Sequence, residues 1–247
     1  ITDSGTLILA ASTLGGDLTA SADNGLTING DLTTTGDMTL EGDANNSSDG
    51  TDTISLASAI TLDSGGNMTL DATTSGISAT GSATLKAKGD LNINNDFISL
   101  GRLTLTADSD ASGVGDFKLA SGATITTNNN DLDLAGANID ISSGTADAGS
   151  GAATFSITQS ITADGTNLAN LTAGSLEINV AGDFIVDGVT SSELTNVSGL
   201  LTLKSTGDIT FQNNASSHDG AVTVLADDDI NVKVDVTDAD MLWLVVT

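Results

Sequence analysis

The 247-residue chain has no cysteine, no proline and no tyrosine. Without cysteine there is no disulfide framework, no thiolate metal site and no thiol nucleophile, a composition that permits an oxidising exterior without requiring one. Aromatic residues make up 2%, with Trp243 the single tryptophan. Globular enzymes fill irregular interiors and line pockets with rings, so the core expected here is thin, regular and aliphatic. Cations are scarce as well: 6 Lys and Arg against 33 Asp and Glu leave a net charge of −27. Such a surface repels nucleic acid and anionic lipid, which need Lys and Arg to displace counterions, and it favours solubility. There is no 18-residue apolar run, which excludes a transmembrane helix. The opening stretch ITDSGTLILAAS has neither a basic n-region nor an initiating Met; the chain reads as an internal or mature piece of something longer.

What is present is aspartate, glycine and short aliphatic phrases. Only Glu41, Glu177 and Glu193 are Glu among the acids, and Asp prefers turns where Glu prefers helices, so the fold is expected to be rich in corners. Four phrases share one pattern: GSATLKAKGDLNI (81–93), GSLEINVAGDFIV (174–186), GLLTLKSTGDITF (199–211) and GAVTVLADDDINV (220–232). In the third, Leu201 and Leu203 alternate with Thr202, and Ile209 and Phe211 alternate with Thr210, the period of a half-buried strand on either side of Gly207-Asp208. Aligned, the copies place Leu85, Ile178, Leu203 and Val224 at one offset, Leu91, Phe184, Ile209 and Ile230 at a second, and Asp90, Asp183, Asp208 and Asp229 at a third. Weaker relatives begin near residues 30, 65, 101, 115 and 130.

A phrase that returns every ~20 residues marks a solenoid. Leucine-rich repeats of similar period carry a helical segment, and no stretch here has apolar residues at i, i+3, i+4 and i+7. The chain is therefore predicted to be all-β: one parallel β-helix domain spanning 1–247, of about a dozen coils of roughly 20 residues. Like residues stack into ladders, Gly at the corners permits positive φ, and Asp beside it bonds the turn backbone. The longer polar stretches 42–52 and 142–153 are expected to be loops.

The phrase G-x-L-T-L-x-x-x-G-D-I-x-F, carried by Gly199, Leu201, Leu203, Gly207, Asp208, Ile209 and Phe211, resembles the repeats of filamentous haemagglutinins and related large bacterial surface exoproteins. At the level of the repeat the resemblance covers most of the chain. It implies secretion by a bacterium, a cell-surface or extracellular location, and a non-enzymatic role as stalk or adhesin. Its N-terminal secretion motif is not visible here.

No catalytic, cofactor-binding or metal site is assigned from sequence. Asp108-Ser109-Asp110-Ala111-Ser112-Gly113 matches the first six positions of a calcium loop, with Asp116 at the ninth, but the twelfth is Leu119 where a bidentate Glu belongs. Calcium is the one cofactor the sequence raises, and the missing ligand makes a solvated loop the preferred reading. Asp227-Asp228-Asp229 and Asp238-Ala239-Asp240 read as exposed corners. His218, the only histidine, is placed in a solvated polar loop, since one His without Cys builds no zinc site. Arg102, the only arginine, leaves a glycan-cleaving site hard to assemble. The closing MLWLVVT breaks the alternation, so part of its apolar surface should meet another coil, a cap or another molecule. The partners expected are adjacent coils of a longer chain or further copies stacked end to end, and a host or neighbouring-cell surface. A ligand-binding module for glycan or cation is the alternative, with a polysaccharide-active enzyme behind it.

Overall fold

The structure, a computed structural model, describes residues 1–47, 52–73, 75–163, 170–187, 189, 194, 196–214, 216–238 and 242–246. Among them every strand pair is parallel and no helix longer than a single turn occurs. The strands fall on three faces in rotation, except that between Phe184–Val186 and Leu201–Ser205 only the bridge of Val197 to Ala173 holds the place of the face-2 strand among the described residues. Face 3 is one unbroken sheet of eleven strands, from Ser12–Leu14 to Leu242–Val246. Face 1 begins as a seven-stranded sheet that ends at Asn138–Asp140. A four-stranded sheet beginning at Ile161–Ala163 then takes its place in the rotation. Face 2 is an eight-stranded sheet followed by a pair, Ser216–His218 with Val236–Asp238. The predicted parallel β-helix is the observed fold.

Eleven stacked strands make about ten turns where the sequence suggested a dozen. Twenty residues separate Leu85 from its register partner Leu105, but Leu32 to Leu62 takes 30, because insertions at the corners lengthen some coils. At ~4.8 Å per strand the ten steps make a rod about 48 Å long. The largest insertions are 42–53, between faces 1 and 2, of which 48–51 lie outside the described residues, and 107–115, between faces 3 and 1; 72–76 is a shorter one at the first of these corners. The stretch 142–153 is not a loop throughout: Thr145–Asp147 is a face-2 strand within it, with Ala146 as its buried residue. Its small residues hid the alternation.

Period-2 alternation builds the interior. Ile60, Ala83, Leu103, Leu132, Ala153, Leu176, Leu201, Val222 and Leu242 follow one another in register along face 3, as do Leu62, Leu85, Leu105, Leu134, Phe155, Ile178, Leu203, Val224 and Leu244. The offset shared by Leu91, Phe184, Ile209 and Ile230 is likewise real. Leu91, however, belongs to the first face-1 sheet and the other three to the second, so they form two ladders. All five phenylalanines, Phe97, Phe117, Phe155, Phe184 and Phe211, are buried, and none is paired directly with another in the register. A ring is wider than an aliphatic branch, and staggering the rings lets each sit on smaller neighbours at native density.

The final strand restores the alternation that MLWLVVT appeared to break. Leu242, Leu244 and Val246 stand over Val222, Val224 and Ala226, while Trp243 and Val245 follow the outward residues Thr223 and Leu225. All five are exposed, Trp243 at 57%. Met241 and Thr247 lie outside the described residues.

Candidate functional site

The most regular chemistry in the molecule is at the corner where face 3 turns into face 1. There the carboxylate or amide oxygen of one coil accepts the backbone N–H of the corresponding residue one coil further on. Asp17 takes the N–H of Asp37 at 3.0 Å, Asp37 that of Asn67 at 2.7 Å, Asn67 that of Asp90 at 2.9 Å and Asp90 that of Asp116 at 2.9 Å. After the change of sheet the series resumes with Ser160 to Asp183 at 2.9 Å, Asp183 to Asp208 at 3.2 Å and Asp208 to Asp229 at 3.0 Å. The Asp of the Gly-Asp phrase therefore binds the coil above it more than its own turn. Each bond answers a corner N–H that has left the strand ladder.

The same geometry explains the glycine differently from the expected positive φ. Gly115 and Gly182 have the expected positive φ, 149° and 139°, but Gly36, Gly66, Gly89 and Gly207 do not. A Cβ on Gly36 would lie 2.0 Å from the Asp17 Oδ1, and one on Gly66 2.2 Å from the Asp37 Oδ1. Glycine is required because the oxygen from the coil below occupies the place of its side chain. Gly and Asp recur together since each makes the other fit, one coil apart.

A third participant was missed in the sequence. Thr34, Ser64 and Ser205, each buried at the end of a face-3 strand, donate hydroxyl hydrogens to corner carbonyls: Thr34 to Gly36 at 2.8 Å, Ser64 to Gly36 at 3.0 Å and to Asn67 at 2.8 Å, and Ser205 to Gly182. Ser99 does the same at the corner between faces 2 and 3, reaching Gly81 at 3.0 Å and Gly101 at 2.9 Å. The signal was available: a hydroxyl residue two places before the corner glycine, as in Ser205-Thr206-Gly207-Asp208.

His218 corrects the sequence reading. It is no loop residue but the buried end of the strand Ser216–His218, 3% exposed, with Nε2 2.9 Å from the Gly199 carbonyl. It occupies the role that Ser99 fills in an earlier coil, bonding the corner glycine carbonyl one coil below. Ser-Ser-His was read as polar, yet pairing with Val236–Asp238 turns Ser216 and His218 inward.

The calcium-like loop closes on itself. Asp108 Oδ1 accepts the Ser112 N–H at 2.8 Å and the Ser112 hydroxyl at 2.9 Å; Oδ2 accepts the Gly113 N–H at 3.0 Å and the Thr158 hydroxyl. Both oxygens that would ligate a cation are thus filled by donors, and the bond to Thr158 ties the loop across to a later coil. Asp116 begins a strand, and Leu119 is buried at its end. Asp229 belongs to the corner series, and Asp227 and Asp228 flank it. Asp238 ends a strand, and Ala239, Asp240 and Glu193 lie outside the described residues. Arg102 is held by Asp133 at 2.6 Å on the outer surface. No group of three or more His, Cys, Asp or Glu among the described residues could hold a metal ion.

Stacking carboxylates ~4.8 Å apart is repulsive, and Lys118 is placed to relieve it between Asp90 and Asp116. Lys118 lies 2.7 Å from Asp90 and 3.5 Å from Asp116; Lys204 lies 2.8 Å from Glu177. Burial opposes ionisation of Asp90, but the Asp116 N–H and Lys118 outweigh it and hold its carboxyl below the ordinary value. At Asp108 burial again opposes, and the Thr158 and Ser112 hydroxyls with the loop N–H groups prevail. Lys204 lowers Glu177 against its burial. Carboxyls lowered on folding contribute stability that is complete above the unfolded value, ~4, and lost as pH falls through the folded values. Thermal midpoints at constant ionic strength should therefore drop below about pH 4, with a shallower drop in Asp108→Asn; an acid limb identical in the two proteins would contradict this role for Asp108.

One open recess lies at the corner between faces 1 and 2. It is lined by Thr73, Ser75, Asn94, Asn95, Asp96 and Ser121 and has a volume of about 280 Å³. Four of its polar groups already serve the fold: Asn95 accepts the Ala72 N–H at 2.7 Å, Asp96 accepts that of Thr124 at 2.8 Å, and Asn94 and Thr73 donate to Asp71 at 3.0 and 3.2 Å.

Compared with known proteins, the chain matches no family model, no curated protein and no solved structure.

Proposed function

We propose that the chain is a rod-like, non-enzymatic section of a bacterial adhesin or surface filament, secreted to the cell surface or beyond. The observation that carries this reading is the continuity of face 3, eleven parallel strands with no interruption, together with corners whose polar groups are committed to the coil above or below. A structure organised in this way transmits load along its axis through backbone hydrogen bonds, while its acidic surface keeps neighbouring rods apart. Further coils, of the same chain or of another copy, would extend the ladders directly: the last strand offers Leu242, Leu244 and Val246 in register and unpaired on one side. Electron microscopy of the native assembly is expected to show a narrow rod continuing past both ends of this section; compact separate particles would overturn the reading.

A second reading, a module binding glycan or cation, is favoured by one observation, a polar recess at the corner between faces 1 and 2 that carries the insertions 42–53 and 72–76. Titrating the protein with calcium and with neutral oligosaccharides should then shift the amide resonances of Asn94–Asp96. If these stay fixed at saturating ligand, the module reading is wrong.

A further inference from the structure

In the last coils one strand turns two polar side chains into the interior. Ser216 and His218, 5% and 3% exposed, point inward from the same strand two residues apart. Among the described residues, neither the Ser216 hydroxyl nor the His218 Nδ1 has a hydrogen-bond partner. Both border a cavity of about 20 Å³ whose other walls include Leu203, Val222 and the rings of Phe184 and Phe211. The other buried hydroxyls of the corners, at Thr34, Ser64, Ser99 and Ser205, all reach a carbonyl, so this pair stands apart.

Buried polar atoms without partners are costly, and a water molecule enters a cavity when it finds at least ~10–15 Å³ and two to four polar partners there. The cavity provides the room for one water. Ser216 Oγ supplies a donor and acceptor, and in the neutral ring Nδ1 is an acceptor, because Nε2 carries the proton it gives to the Gly199 carbonyl. We propose that this cavity is a binding site for a single ordered water, which donates to His218 Nδ1 and accepts from Ser216 Oγ. Its second hydrogen faces the Phe184 and Phe211 side of the cavity, where a ring face is a weak acceptor. The water gives the two inward polar residues of this strand the partners that the protein leaves out, and it fixes the histidine in its Nε2–H form.

The test uses the unaltered chain. A crystal structure that resolves waters should show one within hydrogen-bond distance of both Ser216 Oγ and His218 Nδ1. Ring-nitrogen NMR should show the Nε2–H tautomer with Nδ1 as a hydrogen-bonded acceptor. Under xenon pressure the site should stay free of the gas, as a polar, filled cavity does, and Ser216→Ala should lose the water and admit xenon. An empty cavity, xenon bound in the unaltered protein, or an Nδ1–H tautomer would each overturn the proposal, and none of these depends on how the variant folds.

Discussion

Phe117→Ala is expected to destabilise the protein by about 3–5 kcal/mol, the range for removing a fully buried ring. Phe117 has no exposed surface, and it stands in register between Leu91 and Ile139 in the next-to-last strand of the first face-1 sheet. In a globular core neighbouring elements from several directions can shift to fill a hole. Here the coils above and below are held at strand spacing by the ladders of all three faces, so collapse along the axis is blocked and the cavity term should be close to its full size. A solenoid is a chain of nearest-neighbour interfaces, so the loss should also be local. Hydrogen exchange is expected to rise first in the strands Leu91–Ile93, Asp116–Leu119 and Asn138–Asp140, while the last coils keep their protection. Urea midpoints measure the size of the effect. A change below about 1 kcal/mol, smaller than a single buried methyl-to-cavity replacement usually gives, would mean that the interior is looser than its register implies.

Ala83→Pro should be comparably severe, at about 2–5 kcal/mol from a lost bond, an orphaned acceptor and overpacking. The Ala83 N–H donates to the Arg102 carbonyl at 3.1 Å, and its methyl is buried in the face-3 ladder between Ile60 and Leu103. Proline removes the donor, leaves the carbonyl unmet and forces a ring into an interior packed for a methyl. The argument extends to the composition. An interior strand of a parallel β-helix has a neighbour on both sides, so it has no free edge on which proline is tolerated, and a chain built almost wholly of such strands has reason to contain none. Ala83→Gly is the control, since it keeps the donor; if it destabilises as much as Ala83→Pro, the lost bond is not the cause.

Much of this was legible in the sequence, for a physical reason. In a solenoid the contacts that define the fold join residues about one repeat apart, so the tertiary pattern is written into the chain as a period. Leu85, Ile178, Leu203 and Val224 could be aligned on paper because they are aligned in space. The reading failed where polar or small residues carry the strand. Thr145–Asp147 and Ser216–His218 offer almost no hydrophobic alternation, and only pairing with neighbouring coils, on both sides for the first and with Val236–Asp238 for the second, makes them strands and buries Ala146 and His218. The division of face 1 into two sheets was equally invisible, since Leu91 and Phe184 occupy the same offset in their phrases.

By itself, then, the sequence determined the all-β class, the parallel stacking, the aliphatic interior and the place of the Gly-Asp corners, because periodicity and corner chemistry are local or one repeat deep. It also correctly paired Gly with Asp. Only the tertiary structure decided why they pair: the Asp17 carboxylate occupies the space a side chain at position 36 would need and accepts the N–H of Asp37. That relation crosses from one coil to the next, and no spacing within a single corner can reveal which of two stacked turns an aspartate serves.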